Sequence, residues 1–217
     1  MLNITKDSGI VEDVFTTEDM NKIKAMLLKL TKTHGYDVYD GTNGYEMIDG
    51  NEKPIQEHYG TDNKSIVYPL ILKMFRNKLE HMFGKFEIVF VSYSNARKPV
   101  GLHRDHHFHA EHNLPGKHYF SFIVPYSVDN DIEKCNMAST VVFDDYEKYD
   151  RNDNAIEHHA SYLKHISESD LATVKVKRNN IWKHGSLIWW DSKLFHASGY
   201  FEGVENKQCL VGHTYML

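Results

Sequence analysis

The sequence predicts an α+β protein that is mainly β, with N-terminal helices packed on an antiparallel core of short strands. Three observations carry this prediction. Apolar residues recur at helical spacing only before Gly84. After Gly84 they come in short runs rich in Val, Ile, Phe, Tyr and Trp, separated by Gly, Asn, Asp and Pro, which is the texture of a sandwich or barrel. The chain has 217 residues, 41% hydrophobic and 25% charged, an ordinary globular composition. A chain of this size buries roughly 70% of its unfolded surface, enough for a real core without disulfide staples. The expected organisation is one domain over 1–217, with 1–84 a helical buttress and 85–217 the β core, interrupted by a polar insertion at 146–170.

In chain order, Thr16 and Asp19 form a capping-box pattern, with Glu18 and Asp19 suited to the positive end of a helix dipole. Met20, Ile23, Leu27 and Leu30 follow at helical spacing, and Gly35 is the stop. The stretch 36–60 is rich in Gly, Asn and Asp and reads as loop with one short strand. A second helix is predicted over 68–83. Pro69 fits its first turn, Ile71, Phe75, Leu79 and Met82 form its apolar stripe, and Gly84 ends it. Strands are predicted at 86–93, 119–125, 140–143, 171–176, 186–190 and 209–215. In a regular strand, the pair Trp189 and Trp190 places one ring in the core and one outward. The insertion 146–170 is polar, with weak helical character around 155–166.

Charge and cysteine content narrow the function classes. Lys+Arg 25 against Asp+Glu 30 gives a net charge of −5, which argues against a nucleic-acid partner. The only cysteines, Cys135 and Cys209, have no CxxC spacing and cannot build a disulfide framework. No apolar run approaches 18 residues and the N-terminus shows no signal peptide, so no membrane partner is expected and the expected compartment is cytoplasmic. Histidine is the outlier: there are 15, and His103, His106, His107, His109, His112 and His118 fall in one stretch.

His103 and Asp105 form a His-x-Asp pair. On a strand, residues two apart share a face, so an imidazole and a carboxylate can reach one metal from one strand. His196, after the apolar run 186–190 and a turn, is the best third ligand. Two His and one carboxylate make the facial triad of non-haem Fe(II) sites, which leaves coordination positions open. His107 and His109 share the face of His103 if the strand continues, and they stand as substrate-facing or exposed alternatives. Lys207 opens the last strand and can pair with a distal carboxylate of a dicarboxylic cosubstrate. Tyr93 closes the strand before His103 and can donate a hydrogen bond to the same carboxylate. His184 and His213 read as structural.

Taken in this order, Tyr93, His103-Arg104-Asp105, the strand beginning at Ser139, the block from Gly185 to His196, and Lys207 resemble the Fe(II)/2-oxoglutarate-dependent dioxygenases, in particular the prolyl-4-hydroxylase-like branch. The resemblance covers roughly 86–215. It implies a double-stranded β-helix, or jelly roll, with N-terminal supporting helices. It implies iron held by His103, Asp105 and His196, 2-oxoglutarate held by Lys207 with help from Tyr93, and O2 as co-reactant. The implied reaction hydroxylates a small-molecule or peptide substrate with release of succinate and CO2. The sequence departs from the family in having Lys where Arg is commoner, and Ala138-Ser139-Thr140 where Gly-Gly often precedes the fourth core strand. Competing readings are a cupin-like metal-binding jelly roll with chemistry independent of 2-oxoglutarate, and a non-catalytic binding module. The substrate is not legible, and the loop 36–60 and the insertion 146–170 are the expected specificity elements.

Overall fold

The capping-box pattern opens helix α1, Thr17–His34. The Asp19 amide donates to Thr16 Oγ1 at 3.1 Å and the Thr16 amide donates to Asp19 Oδ2 at 3.0 Å, so two otherwise orphaned donors are satisfied reciprocally. Helix α2, Tyr68–Phe83, has the predicted bounds and buries Ile71, Phe75, Leu79 and Phe83. The structure is a computed structural model that describes residues 8–34, 39–40, 45–48, 51–62, 68–105, 118–144, 161–201 and 203–217.

The strands are β1 Ser8–Val11, β2 Tyr39–Asp40, β3 Tyr45–Ile48, β4 Asn51–Pro54, β5 Gln56–Asp62, β6 Phe86–Ala96, β7 Tyr119–Val128, β8 Ser139–Phe143, β9 Val176–Ile181, β10 Leu187–Asp191, β11 His196–Ser198 and β12 Lys207–Met216. A major sheet has seven strands in the order β1-β10-β7-β12-β6-β5-β2, and a minor sheet has the order β11-β8-β9. All neighbours are antiparallel. β3 and β4 pair as a separate hairpin. His103 bridges His196 and adds one residue beside β11. From β6 onward the chain therefore crosses between sheets repeatedly: β6 major, His103 minor, β7 major, β8 and β9 minor, β10 major, β11 minor, β12 major.

Alternation along the central strands divides the interior. Phe120, Phe122 and Val124 of β7, with Leu187 and Trp189 of β10, pack against Phe15, Met20, Ile23, Leu27, Ile71 and Phe75 from the helical side. Their neighbours Ile123, Ile188 and Trp190 join Val142 and Trp182 between the sheets. Trp189 and Trp190 are thus both buried, at 4% and 2% exposure, because the major sheet is covered on both faces. The outer face of the minor sheet (Val141, Phe143, Ala197) is covered by Leu163, Ile166, Leu171 and Val174. The described part of the insertion thus buries apolar side chains and is not a purely polar excursion.

Three expectations are corrected. The region 1–84 contributes β1 and β5 to the major sheet as well as the helices. β1 docks on β10, and the adjoining segment is pinned by Val14 and Phe15 amides donating to the Gly185 carbonyl at 3.2 and 2.9 Å. Gly185 has φ +69°, and a Cβ there would lie 2.0 Å from the Phe15 carbonyl oxygen. Second, the strand predicted at 171–176 lies at 176–181. Leu171 instead closes helix α3, Glu168–Leu171, whose cap Ser167 accepts from the Asp170 amide at 3.2 Å. Third, β6 carries an irregularity: Thr214 pairs with Ile88 but His213 pairs with Phe90. The extra residue reverses the alternation, so Phe86 and Ile88, then Val91 and Tyr93, all face the helices.

Candidate metal centre

β10 ends at Asp191, whose Oδ1 accepts from the Lys193 amide at 2.9 Å and whose carbonyl accepts from the Leu194 amide at 2.9 Å. This turn carries the chain across to the minor sheet and delivers His196 as the first residue of β11. His103 and His196 exchange backbone bonds at 3.0 and 2.9 Å, which brings their rings to 4.1 Å between centroids. Asp105 follows at a bend rather than on a continued strand, and it is 3% exposed. One donor atom from each of His103, Asp105 and His196 lies within 4.8 Å of the others. His196 Nε2 is 3.4 Å from Asp105 Oδ2, and His103 Nε2 is 3.8 Å from Asp105 Oδ1. Donors in adjacent positions on one metal sit about 3 Å apart, so the three side chains are set at close to the required spacing.

The second nitrogen of each imidazole is turned to a backbone carbonyl. His103 Nδ1 lies 2.8 Å from the Gly101 oxygen and His196 Nδ1 lies 3.4 Å from the Leu194 oxygen. A carbonyl only accepts, so both Nδ1 atoms carry a proton, and Nε2 is the atom that each ring would offer to a metal. Burial lowers the His196 imidazole to about 3, against the opposing pull of Asp105, so it is neutral. Burial by itself would raise the Asp105 carboxyl, but His196, His213 and His103 outweigh it and hold the group well below the usual carboxylate range. The Asp105 carboxylate and the lone pair of neutral His196 facing one another repel unless a cation lies between them. Neutral imidazole with carboxylate and no thiolate suits iron(II). The two cysteines are pushed up to about 12, chiefly by burial, and neither belongs to the cluster.

Trp190 fixes two of these donors. Its indole N–H donates to Asp105 Oδ2 at 3.2 Å and its ring lies 4.5 Å from that of His196 between centroids. His213, on β12, brings Nδ1 to 3.9 Å from Asp105 Oδ2 and to 3.0 Å from Ser121 Oγ. It is buried, and it belongs to the site rather than to the scaffold alone. The signal for it was in the sequence: residues 207, 209, 211 and 213 share one face of a strand.

Lys207 is 5% exposed and points between the sheets. Its ammonium donates to Ser198 Oγ and stands 4.7 Å from the Trp182 ring and 5.5 Å from that of Phe201. Burial lowers it to about 8, against a smaller opposing effect of Cys209. Ser198 shares the face of His196 two residues along β11, a rise of ~6.8 Å. One short diacid can therefore span from the triad to the ammonium. Along the neighbouring inner wall, His58 Nδ1 meets Ser92 Oγ at 3.1 Å and Gln56 Nε2 donates to Ser94 Oγ at 3.1 Å.

Tyr93 does not join this group. The irregularity in β6 turns it to the helical side, where its ring lies 6.1 Å from Tyr126 and beneath the Lys24 ammonium at 4.5 Å. Burial raises its phenol well above the usual range. His106, His107 and His109 lie outside the described residues.

No protein-family model matches the chain, and no curated protein matches it. Solved structures do resemble it. The non-haem α-ketoglutarate-dependent epimerase SnoN from nogalamycin biosynthesis matches with TM-score 0.57 and 10% identity over 96% of this chain and 78% of that one. The α-ketoglutarate-dependent carbocyclase SnoK of the same biosynthesis matches with TM-score 0.55 and 8% identity over 97% and 80%. EctD from S. alaskensis, solved with 2-oxoglutarate and 5-hydroxyectoine, matches with TM-score 0.54 and 12% identity over 96% and 72%. The fold is therefore one shared with these structures, among them two non-haem α-ketoglutarate-dependent enzymes. Among the described residues, no helix is long and apolar enough to cross a membrane.

Proposed function

We propose that the chain is an Fe(II)- and 2-oxoglutarate-dependent oxygenase acting on a small-molecule or peptide substrate. The observation that carries this reading is the convergence of His103, Asp105 and His196 within 4.8 Å in the space between the sheets that also holds the buried cation Lys207. The crossing of consecutive strands between two sheets is the winding of a double-stranded β-helix, and it supports one domain over 1–217. The order of motifs supports the family; with Tyr93 turned to the helices, the prolyl-4-hydroxylase-like branch rests on the His-x-Asp, His196 and Lys207 pattern alone.

His103 and His196 would offer Nε2 and Asp105 a carboxylate oxygen to iron, while Lys207 and Ser198 would hold the distal carboxylate of 2-oxoglutarate. Iron and 2-oxoglutarate together would supply activation of O2 and oxidation of a substrate C–H bond, with release of succinate and CO2. Trp190 and the carbonyls of Gly101 and Leu194 keep the donors oriented, and the neutral His58, Ser92 and Ser94 line the cosubstrate wall without adding charge. Trp182 and Phe201 exclude water from the ammonium, which strengthens its attraction for a carboxylate.

The test is succinate formation by the protein loaded anaerobically with Fe(II), then given 2-oxoglutarate and air. Turnover that needs both iron and 2-oxoglutarate, and that is lost in Asp105→Ala, is the expected result. Iron binding with no 2-oxoglutarate consumption would favour a cupin-like metal site instead.

A further inference from the structure

Lys207 is committed to one end of the site, and a second cation stands at the other. β9 is the edge strand of the minor sheet, and its register against β8 slips once: Phe143 pairs with Val176, but Val142 pairs with Arg178. Lys177 is the extra residue of a β-bulge. Bulges cluster beside active sites because they re-aim side chains. Val176 packs with Phe143 on the outer face, so uninterrupted alternation would turn Lys177 inward and Arg178 outward. The bulge reverses this. Lys177 pairs with Asp144 at 3.3 Å, and the register sets Arg178 opposite Val142, at the inward-facing position.

The level at which Arg178 sits follows from the pairing. His103 pairs with His196, His196 with Val142, and Val142 with Arg178. Directly paired residues project from the same face, and Val142 belongs to the cluster between the sheets. The two histidines of the triad and Arg178 thus form one row across the inner face. Two strand spacings separate Arg178 from His196, about 10 Å between backbones, which a guanidinium and a small substrate can bridge. Arg178 is exposed, unlike Lys207. Among the described residues no carboxylate pairs with it. A guanidinium offers a planar fork suited to carboxylate and phosphate oxygens.

We propose that Arg178, aimed inward by the bulge at Lys177 and level with His103 and His196, anchors an anionic group, carboxylate or phosphate, on the substrate. This assignment rests on the oxygenase reading and adds the substrate class. The substrate would lie with its anion toward β9 and its reacting carbon toward the triad, opposite the cosubstrate's anchor.

The experiment measures 2-oxoglutarate consumption and calorimetric binding by the iron-loaded full chain. The probes are a panel of small carboxylic acids and phosphate monoesters, each beside its neutral methyl ester or parent alcohol. At least one anion should stimulate turnover or bind about tenfold or more tightly than its neutral counterpart, and which half of the panel responds separates carboxylate from phosphate. Arg178→Gln should raise the KM and Kd of that anion about 10- to 100-fold, with iron stoichiometry and the KM for 2-oxoglutarate unchanged. Arg178→Lys should recover part of the loss. The assignment is overturned if no anion is preferred over its neutral counterpart, whether both act or neither does, or if Arg178→Gln leaves the preferred anion unaffected. Failure of the unaltered protein to bind iron or consume 2-oxoglutarate overturns the oxygenase reading, and this assignment with it.

Discussion

The two faces of the major sheet are built from the same strands and do opposite things. On the helical side, Phe120, Phe122, Trp189 and Leu210 are packed by aromatic and aliphatic residues, with Phe75 and Phe122 rings 5.2 Å apart. On the inner side, the intervening positions include Ser92, Ser94, Ser121, His213 and Lys207, all buried and all polar. Buried polar groups add little net stability and cost heavily when left unpaired. Their concentration on one face fits the chemistry proposed for it, whereas the other face supplies the stability that tolerates it.

Substitutions on the two faces should therefore separate activity from stability. The largest effect is expected for Asp105→Ala, which removes the only carboxylate of the triad: iron binding and turnover should fall to near nothing, while thermal unfolding shows the fold retained. Phe122→Ala on the helical face should do the reverse. It should cost about 3–5 kcal/mol of stability by denaturant titration, yet leave the folded fraction able to bind iron.

Trp190→Phe is intermediate. It keeps the ring against His196 but deletes the hydrogen bond to Asp105, so metal affinity should drop about 10- to 100-fold, read by competition with a chelator. Lys207 gives a pH signature. Its ammonium is depressed to about 8 from an ordinary 10.5, so the folded chain binds fewer protons than the unfolded chain between those values. Stability from this group rises with pH there, whereas 2-oxoglutarate affinity, which needs the cation, should hold below pH 8 and weaken about tenfold per pH unit above it. The smallest effect is expected for Tyr93→Phe. Its ring faces the helices, so the KM for 2-oxoglutarate should be unchanged, and a several-fold rise would return Tyr93 to the cosubstrate site.

What was legible in the sequence was what periodicity and short-range chemistry encode. α2 has the predicted bounds because Ile71, Phe75 and Leu79 mark one stripe and Gly84 ends it. His103, Asp105, His196 and Lys207 drew attention by residue type and order. What escaped depended on pairing between distant segments. The irregularity in β6 reverses the facing of Tyr93, and the bulge at Lys177 reverses that of Arg178. Neither is written in local composition. β1 and β5 were hidden because SGIV and QEHYGTD are too short or too polar to stand out until they lie beside β10 and β6. His213 is visible in period-two alternation with Lys207, but alternation alone does not say which face of the strand turns inward.

The central claim is that His103, Asp105 and His196 hold iron together. Diffraction at the iron absorption edge, from crystals grown anaerobically with Fe(II), tests it most directly. The account predicts a single anomalous peak per chain, within bonding distance of His103 Nε2, His196 Nε2 and an Asp105 carboxylate oxygen, roughly 2.0–2.3 Å from each. A peak ligated instead by histidines of the 106–112 stretch, or by His213 without Asp105, would contradict it.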